Sequence, residues 1–525
     1  MDRDLLEVTI PQLEHFYLIH RYSVTEVVQW HLARIAKYNG IYRAVETVDS
    51  AGALSTAAAE DAAAKHVGLK RGPLWGVPVV IKANTSIKGL VTSDGWQGYL
   101  IPGHELIAPQ DAPIVAKLRA AGAIIMGHTN MPDFAASDTN RSTAFGRTGN
   151  AYDVRYSPGG SSGGTVTAIT ANFAVLGTGT DTGNSIRMPA ATSAVIGVLP
   201  TRGLVSISGI APLDWLVDDT GPIARTVTDT AIELGVMAGE DPSDFRTAGS
   251  ALHAQAAPYT QYLKADSLKG KRFGVPAFIV KESAASAAPN IGIARTLRPE
   301  TRAMFMSAIE GLRKAGAEVI FDDTLLPESF SDLIRKVNTR PYRLEGTQNF
   351  LKDFGPAQYH SAEDYLASVG SPLPATVTGL AGPSTPGRDQ QTPAPQKVLE
   401  TDPDAEANFF APQRKALAAY REVFDRLNLD GLVYPATQMP PPDETMPQDG
   451  RISSGPHSNT GWANRIGVPA VVVVGGFYPN GLPFGLELSA RPWYDGDLLG
   501  WAYAYEQATK FRRPPLLVAE GLISQ

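Results

Sequence analysis

Residues 157–203 read SPGGSSGGTVTAITANFAVLGTGTDTGNSIRMPAATSAVIGVLPTRG, and no other stretch limits the fold so tightly. Glycine, serine and threonine form two clusters, Gly159 to Gly164 and Gly179 to Ser185, on either side of a short apolar segment. A solvated Gly/Ser linker is the plain alternative. Linkers, however, do not carry Ile169, Phe173, Val175 and Leu176 between their glycines. The chain must make tight turns against buried structure here. Serines held on such turns beside rows of backbone N–H groups point to a serine nucleophile with a backbone oxyanion hole.

The sequence around this stretch alternates helix and strand signals. Residues 1–70 read as an N-terminal helical flank. Ser23-Val24-Thr25-Glu26 fits a capping box, Val28, Leu32 and Ile35 share a face, and Asn39-Gly40 supplies a stop. An Ala-rich helix at 55–65 follows. Gly76 to Asn84 is a short apolar strand that ends on Lys82. A strand-end lysine is ordinarily solvated, but its place after a fully apolar run argues for partial burial.

Residues 112–127 give helix then strand, and 312–320 repeat the design. Thr226 to Asp229 caps a further helix. Strands are expected at 271–275, 429–434, 470–474 and 484–488, with a turn at Asn480-Gly481 and a helix over 497–510. The Pro-rich segment at about 370–405 reads as an irregular excursion, because the pattern resumes after it. The 525 residues could hold several average domains. Strand signals at both ends nevertheless favour one interwoven sheet, in a single large α/β domain over 71–525.

Composition removes other classes of function. With no cysteine, thiol nucleophiles, Cys-ligated zinc, iron–sulfur clusters and disulfides are excluded. The net charge of −7 has no long block of one sign, so neither nucleic acid nor a membrane surface is expected as a partner. The acidic opening Met1-Asp2-Arg3-Asp4 lacks the pattern of a signal peptide, and the longest clean apolar run, Ala470 to Val474, cannot span a bilayer. A cytoplasmic location is the expectation. The nine histidines include no HxH or HExxH spacing, so no metal is expected. There is no P-loop, and Gly177-x-Gly179-x-x-x-Gly183 misses the dinucleotide spacing by one residue.

Gly159-Gly160-Ser161-Ser162-Gly163 formally matches the G-x-S-x-G elbow of α/β-hydrolases, with His457 available for a triad. That elbow needs a strand before it, and residues 150–158 read instead as a polar, proline-ended loop. The stretch resembles the amidase signature family, whose hallmark is a GGSSGG cluster followed by GTDTGGSIRxPA. The family's third element, a lysine in a GIPxxIKDN-like strand, resembles Gly76 to Asn84. Weaker likenesses lie at 111–115 through 127–131, at 467–470, at 481–486 and at 506–509.

This resemblance implies a central mixed sheet covered by helices on both faces. It also implies a catalytic triad of Lys82, Ser161 and Ser185. Ser185 would be the nucleophile, and Ser161, after a cis peptide bond from Gly160, would relay the proton to Lys82. The backbone N–H groups of Thr182, Gly183, Asn184 and Ser185 would form the oxyanion hole. A free lysine has a pKa of about 10.4, so service as a base near neutrality requires burial. Gly160, Ser162, Asp181 and Arg187 would support the site, the last two as braces for its loops. Thr129, Asn130, Met131 and Trp96 are candidates for the substrate pocket.

The sequence departs from the family pattern twice: Asn184 replaces a glycine, and Ala83 an aspartate. Asn tolerates unusual backbone angles, so the hole is expected to survive. No cofactor is implied. The expected partners are a small-molecule amide or carbamate and water; a homodimer is left open. The leading expectation is a stand-alone amidase for a carboxamide, anilide or carbamate. The alternatives are the glutaminase-type component of an amidotransferase and an α/β-hydrolase-like serine esterase. An inactive binding protein on this scaffold is disfavoured, because all three triad residue types are present.

Overall fold

Apolar runs such as Val77 to Ile81 and Ala470 to Val474 must be covered on both faces, and a sheet between helix layers does this. The computed structural model describes residues 1–66, 68–281, 296–379, 396–445 and 455–515. Among them are the strands β1 (Val45–Val48), β2 (Val77–Lys82), β3 (Ala123–Thr129), β4 (Arg141–Ser142), β5 (Gly146–Arg147), β6 (Leu176–Asp181), β7 (Ile196–Leu199), β8 (Asp219–Ala224), β9 (Arg272–Val275), β10 (Glu318–Phe321), β11 (Gly431–Pro435), β12 (Ala470–Phe477) and β13 (Pro483–Ala490).

Eleven of these form one sheet in the order β1-β3-β2-β6-β8-β7-β12-β13-β11-β9-β10, and β4 and β5 make a separate pair. The sheet is mixed. β2 runs parallel to β3 and β6, whereas β6 to β8, β8 to β7, β7 to β12 and β12 to β13 are antiparallel. Helices Gly163–Thr170 and Arg187–Thr192 are buried along their whole length. Val227–Met237 and Asp495–Thr509 also pack on the sheet. This is the expected α/β class, a single domain around a large mixed sheet flanked by helices.

Two local readings need correction. Residues 1–70 are not helical throughout, because Val45–Val48 is a strand that pairs antiparallel with β3 and forms an edge of the main sheet. The helix that starts at Val24 also runs through Asn39-Gly40 to Tyr42. Its start follows the capping box: Ser23 Oγ accepts from the Glu26 N–H, and Glu26 Oε2 accepts from the Ser23 N–H. Its end is Arg43, in the left-handed region at φ 51°. Asn39 Oδ1 accepts from the N–H groups of Ala44 and Val45, so this residue launches β1 as well as closing the helix. Of the expected irregular excursion at about 370–405, residues 380–395 lie outside the described residues, and Ala375–Thr378 is a short helix.

Candidate active site

β2 and β6 lie side by side at the centre of the site. Val79 pairs with Leu176 and Val80 with Gly177, so the ends of the two strands bring Lys82 beside Thr178 and Thr180. The apolar residues before Lys82 are wholly buried, and its own side chain is 0% exposed. Lys82 Nζ lies 2.7 Å from Ser161 Oγ, 2.8 Å from Thr180 Oγ1 and 3.0 Å from Ser162 Oγ. No carboxylate forms an ion pair with it among the described residues. Burial lowers its pKa to about 7, against the opposing pull of Asp94, Asp181 and Asp218. A neutral amine within hydrogen-bond distance of a hydroxyl can take its proton.

The serine cluster is built for close approach. The Gly160–Ser161 peptide bond is cis. A Cβ on Gly160 would fall 2.7 Å from Ser137 O and 2.8 Å from Thr139 O, so only glycine fits there. Helix Gly163–Thr170 starts directly after the serines, and its first N–H donates to Asn140 Oδ1. Ser162 joins the two clusters: its N–H donates to Ser185 O at 3.1 Å, and its hydroxyl to Thr180 O at 3.3 Å.

Ser185 sits on the short link between β6 and helix Arg187–Thr192 and is 5% exposed. The N–H groups of residues 182–185 have no acceptor among the described residues, which leaves a row of donors beside the Ser185 hydroxyl. Such donors, fixed in advance, can stabilise an oxyanion. The Ser185 hydroxyl makes no hydrogen bond to Ser161 in this resting state; its contact is Asn184 Oδ1 at 3.5 Å. The backbone of Asn184 lies outside the left-handed region, so conformational tolerance is not what this residue contributes.

Asp181 and Arg187 brace the link from beneath. Arg187 is 0% exposed, and its Nε and Nη2 donate to the two oxygens of Asp181 at 3.0 and 3.1 Å. Nη1 donates to Glu487 Oε1 and to Thr460 O, and Nη2 also to Asn464 Oδ1. The Tyr434 hydroxyl donates to Glu487 Oε1 at 3.0 Å. Burial opposes the guanidinium charge, but Asp181 and Glu487 outweigh it and hold Arg187 above its ordinary range. Burial likewise works against the Asp181 carboxylate, and Arg187 more than offsets it. Asp181 Oδ2 also accepts from the Ile186 N–H, which fixes the far end of the link.

The pocket candidates are distributed over separate contacts, with Gly95, next to Trp96, packed on Met131 O. Thr129 is taken up by Thr165, with 2.6 Å between their hydroxyl oxygens, and Asn130 donates to Gly146 O and Thr148 Oγ1. Both are fully buried. Met131 packs with Ala83, Ala135 and Leu213 next to Lys82. Trp96 belongs to an aromatic cluster with Tyr99, Phe134 and Tyr365, partly covered by helices from residues 343–378. His457 faces Asp138, with 3.8 Å between Nδ1 and Oδ2. The G-x-S-x-G segment follows an irregular loop, as its sequence implied, so the strand that an elbow requires is missing.

Sequence reasoning missed Thr180, Asn464, Glu487, Tyr434, Asp138 and Ser458. Only Thr180 lay within the signature stretch, where its place two residues beyond Thr178 on β6 gives it the same face of the strand.

The description "Amidase" is carried by the family model that matches residues 26–499. The chain is similar to a glutamyl-tRNA(Gln) amidotransferase component from Symbiobacterium thermophilum, at 31% identity over 97% of this chain and 99% of the relative. The protein of the same name from Alkaliphilus metalliredigens is 32% identical over 95% of this chain and 96% of its own. Among solved structures, native peptide amidase from Stenotrophomonas maltophilia superposes with a TM-score of 0.78 at 28% identity, covering 97% of this chain and 98% of that one.

Proposed function

The chain belongs to the Amidase family of enzymes acting on C–N bonds, and from that premise we propose that it is a stand-alone amidase working through a seryl acyl-enzyme. Its substrate class is a carboxamide, anilide or related carbamate. One observation carries this reading: the fully buried Lys82 amine, held by hydroxyls rather than by a carboxylate, lies 2.7 Å from Ser161 Oγ, beside a loop of free N–H groups that bears Ser185.

The Ser185 hydroxyl rotates from Asn184 towards Ser161 and attacks the carbonyl carbon. Its proton passes to Ser161 Oγ as the Ser161 proton passes to Lys82 Nζ. The oxyanion takes hydrogen bonds from the N–H groups of residues 182–185. As the C–N bond breaks, the proton returns through Ser161 to the leaving nitrogen. Water then repeats the sequence on the ester and releases the acid. These steps need no metal and no cofactor.

The names of the curated relatives favour a second reading, in which the chain is the amide-hydrolysing component of an amidotransferase and works with a partner. Turnover of a panel of amides, anilides and carbamates by the isolated chain supports the first reading. Turnover of glutamine alone, and only with a second protein, supports the other. For both, Ser185→Ala abolishes labelling by a fluorophosphonate, a loss of at least about a thousandfold. Stoichiometric labelling of that variant excludes Ser185 as the nucleophile.

A further inference from the structure

Several anchors hold the oxyanion loop, the Ser162 N–H on Ser185 O among them, and one stands where the signature pattern has a glycine. At its start, Thr182 Oγ1 donates to the buried Asp218 at 2.6 Å. At its end, Asp181 holds the Ile186 N–H. In the middle, where the free N–H groups lie, the anchor is the Asn184 side chain. Its Nδ2 donates to Asp138 Oδ1 at 3.2 Å and to Ser458 Oγ at 2.9 Å, and its Oδ1 faces the Ser185 hydroxyl.

Both acceptors are themselves held in place. The segment of Asp138 packs on the cis peptide, since a Cβ on Gly160 would meet Ser137 and Thr139 oxygens. The segment of Ser458 packs on both sides of the site. A Cβ on Gly455 would lie 2.4 Å from Asp138 O, and one on Gly461 would lie 3.2 Å from Gly183 O. The Asn184 carboxamide therefore ties the nucleophile loop to the bridging-serine segment and to the 455–461 loop at once.

We propose that Asn184 is a positioning residue for acylation: its amide nitrogen pins the oxyanion loop to Asp138 and Ser458, and its amide oxygen sets the resting direction of the Ser185 hydroxyl. This rests on the reading of Ser185 as nucleophile. A donor displaced by about 1 Å stabilises the developing charge far less, so the pin acts on rate and leaves substrate binding alone.

The experiment measures the rate of fluorophosphonate labelling, with kcat and KM for a nitrophenyl ester. Asn184→Gly slows labelling and kcat about tenfold, the weight of one hydrogen bond to a charged group, with KM unchanged. Asn184→Asp falls at least as far, because its carboxylate faces Asp138. Combining Asn184→Asp with Asp138→Asn exchanges donor and acceptor and recovers most of the lost kcat with KM unchanged throughout, a split between kcat and KM that a merely structural role would not give. Wild-type rates in Asn184→Gly, a raised KM with kcat intact, or a double variant no faster than Asn184→Asp would each overturn the proposal. Should Asn184→Gly fail to fold, the aspartate pair decides the matter alone. Failure of the wild-type protein to label at Ser185, read by peptide mass mapping, is distinct: it sinks the nucleophile assignment itself.

Discussion

Lys82 and Arg187 are both fully buried cations that touch the 180–187 segment, yet their partners differ in kind. Hydroxyl groups surround Lys82, whereas two carboxylates and an amide hold Arg187. Hydroxyls cannot repay the cost of removing an ammonium from water, so the Lys82 proton becomes easy to lose. Carboxylates in bidentate geometry repay it for a guanidinium, which cannot deprotonate in any case. Equal burial thus yields an amine that titrates near pH 7 at one position and a permanently charged strut at the other. The choice of neutral or anionic partners separates them.

Three changes test that contrast. The largest effect belongs to Lys82→Met, which removes the proposed base and keeps most of the volume. Acylation should fall by about 10²–10⁴-fold, the usual weight of a general base, with little change in the urea unfolding midpoint. The wild-type rate should also rise as pH is raised through about 7, where the folded-state amine loses its proton, and level off above. Below that pH it should fall about tenfold per unit. A wild-type profile flat from pH 5 to 9 would remove Lys82 from the role of base.

Arg187→Met comes next, and its effect is on the fold. It leaves Asp181 and Glu487 buried without their cation, so unfolding in urea should show a loss of about 3–5 kcal/mol. A variant as stable as the wild type would mean that the network is not a brace. The smallest effect is expected from Thr180→Val, which removes one hydroxyl beside Lys82 Nζ and the acceptor of Asn84 Nδ2. Stability should drop by about 1 kcal/mol and the acylation rate by less than tenfold. A loss as large as that of Lys82→Met would make Thr180 part of the proton path.

Much of the framework was readable locally. The capping box at Ser23 and Glu26 is a contact three residues apart, and it forms as written. The apolar run before Lys82 implied a buried strand, and β2 is buried throughout. Signals that compete with tertiary contacts were less reliable. Asn39-Gly40 has the composition of a helix stop, but Gly40 is not in the left-handed region, and the helix ends only where Arg43 can turn the chain into β1. That four-residue edge strand was invisible because its alternation is too short to stand out. It becomes a strand only by pairing with β3.

The sequence by itself determined the two glycine–serine clusters, the lysine at the end of an apolar strand and the absence of cysteine chemistry. These are properties of residue type and short spacing. The tertiary structure decided which hydroxyls meet Lys82, which carboxylates meet Arg187 and what Asn184 holds. Those partners lie up to three hundred residues away, as Glu487 does from Arg187, and no local pattern encodes them. Burial is likewise a property of the assembled fold. Lys82 is a weak base candidate in the extended chain and an amine that titrates near pH 7 only once β2, β6 and the helix after Ser162 have closed around it.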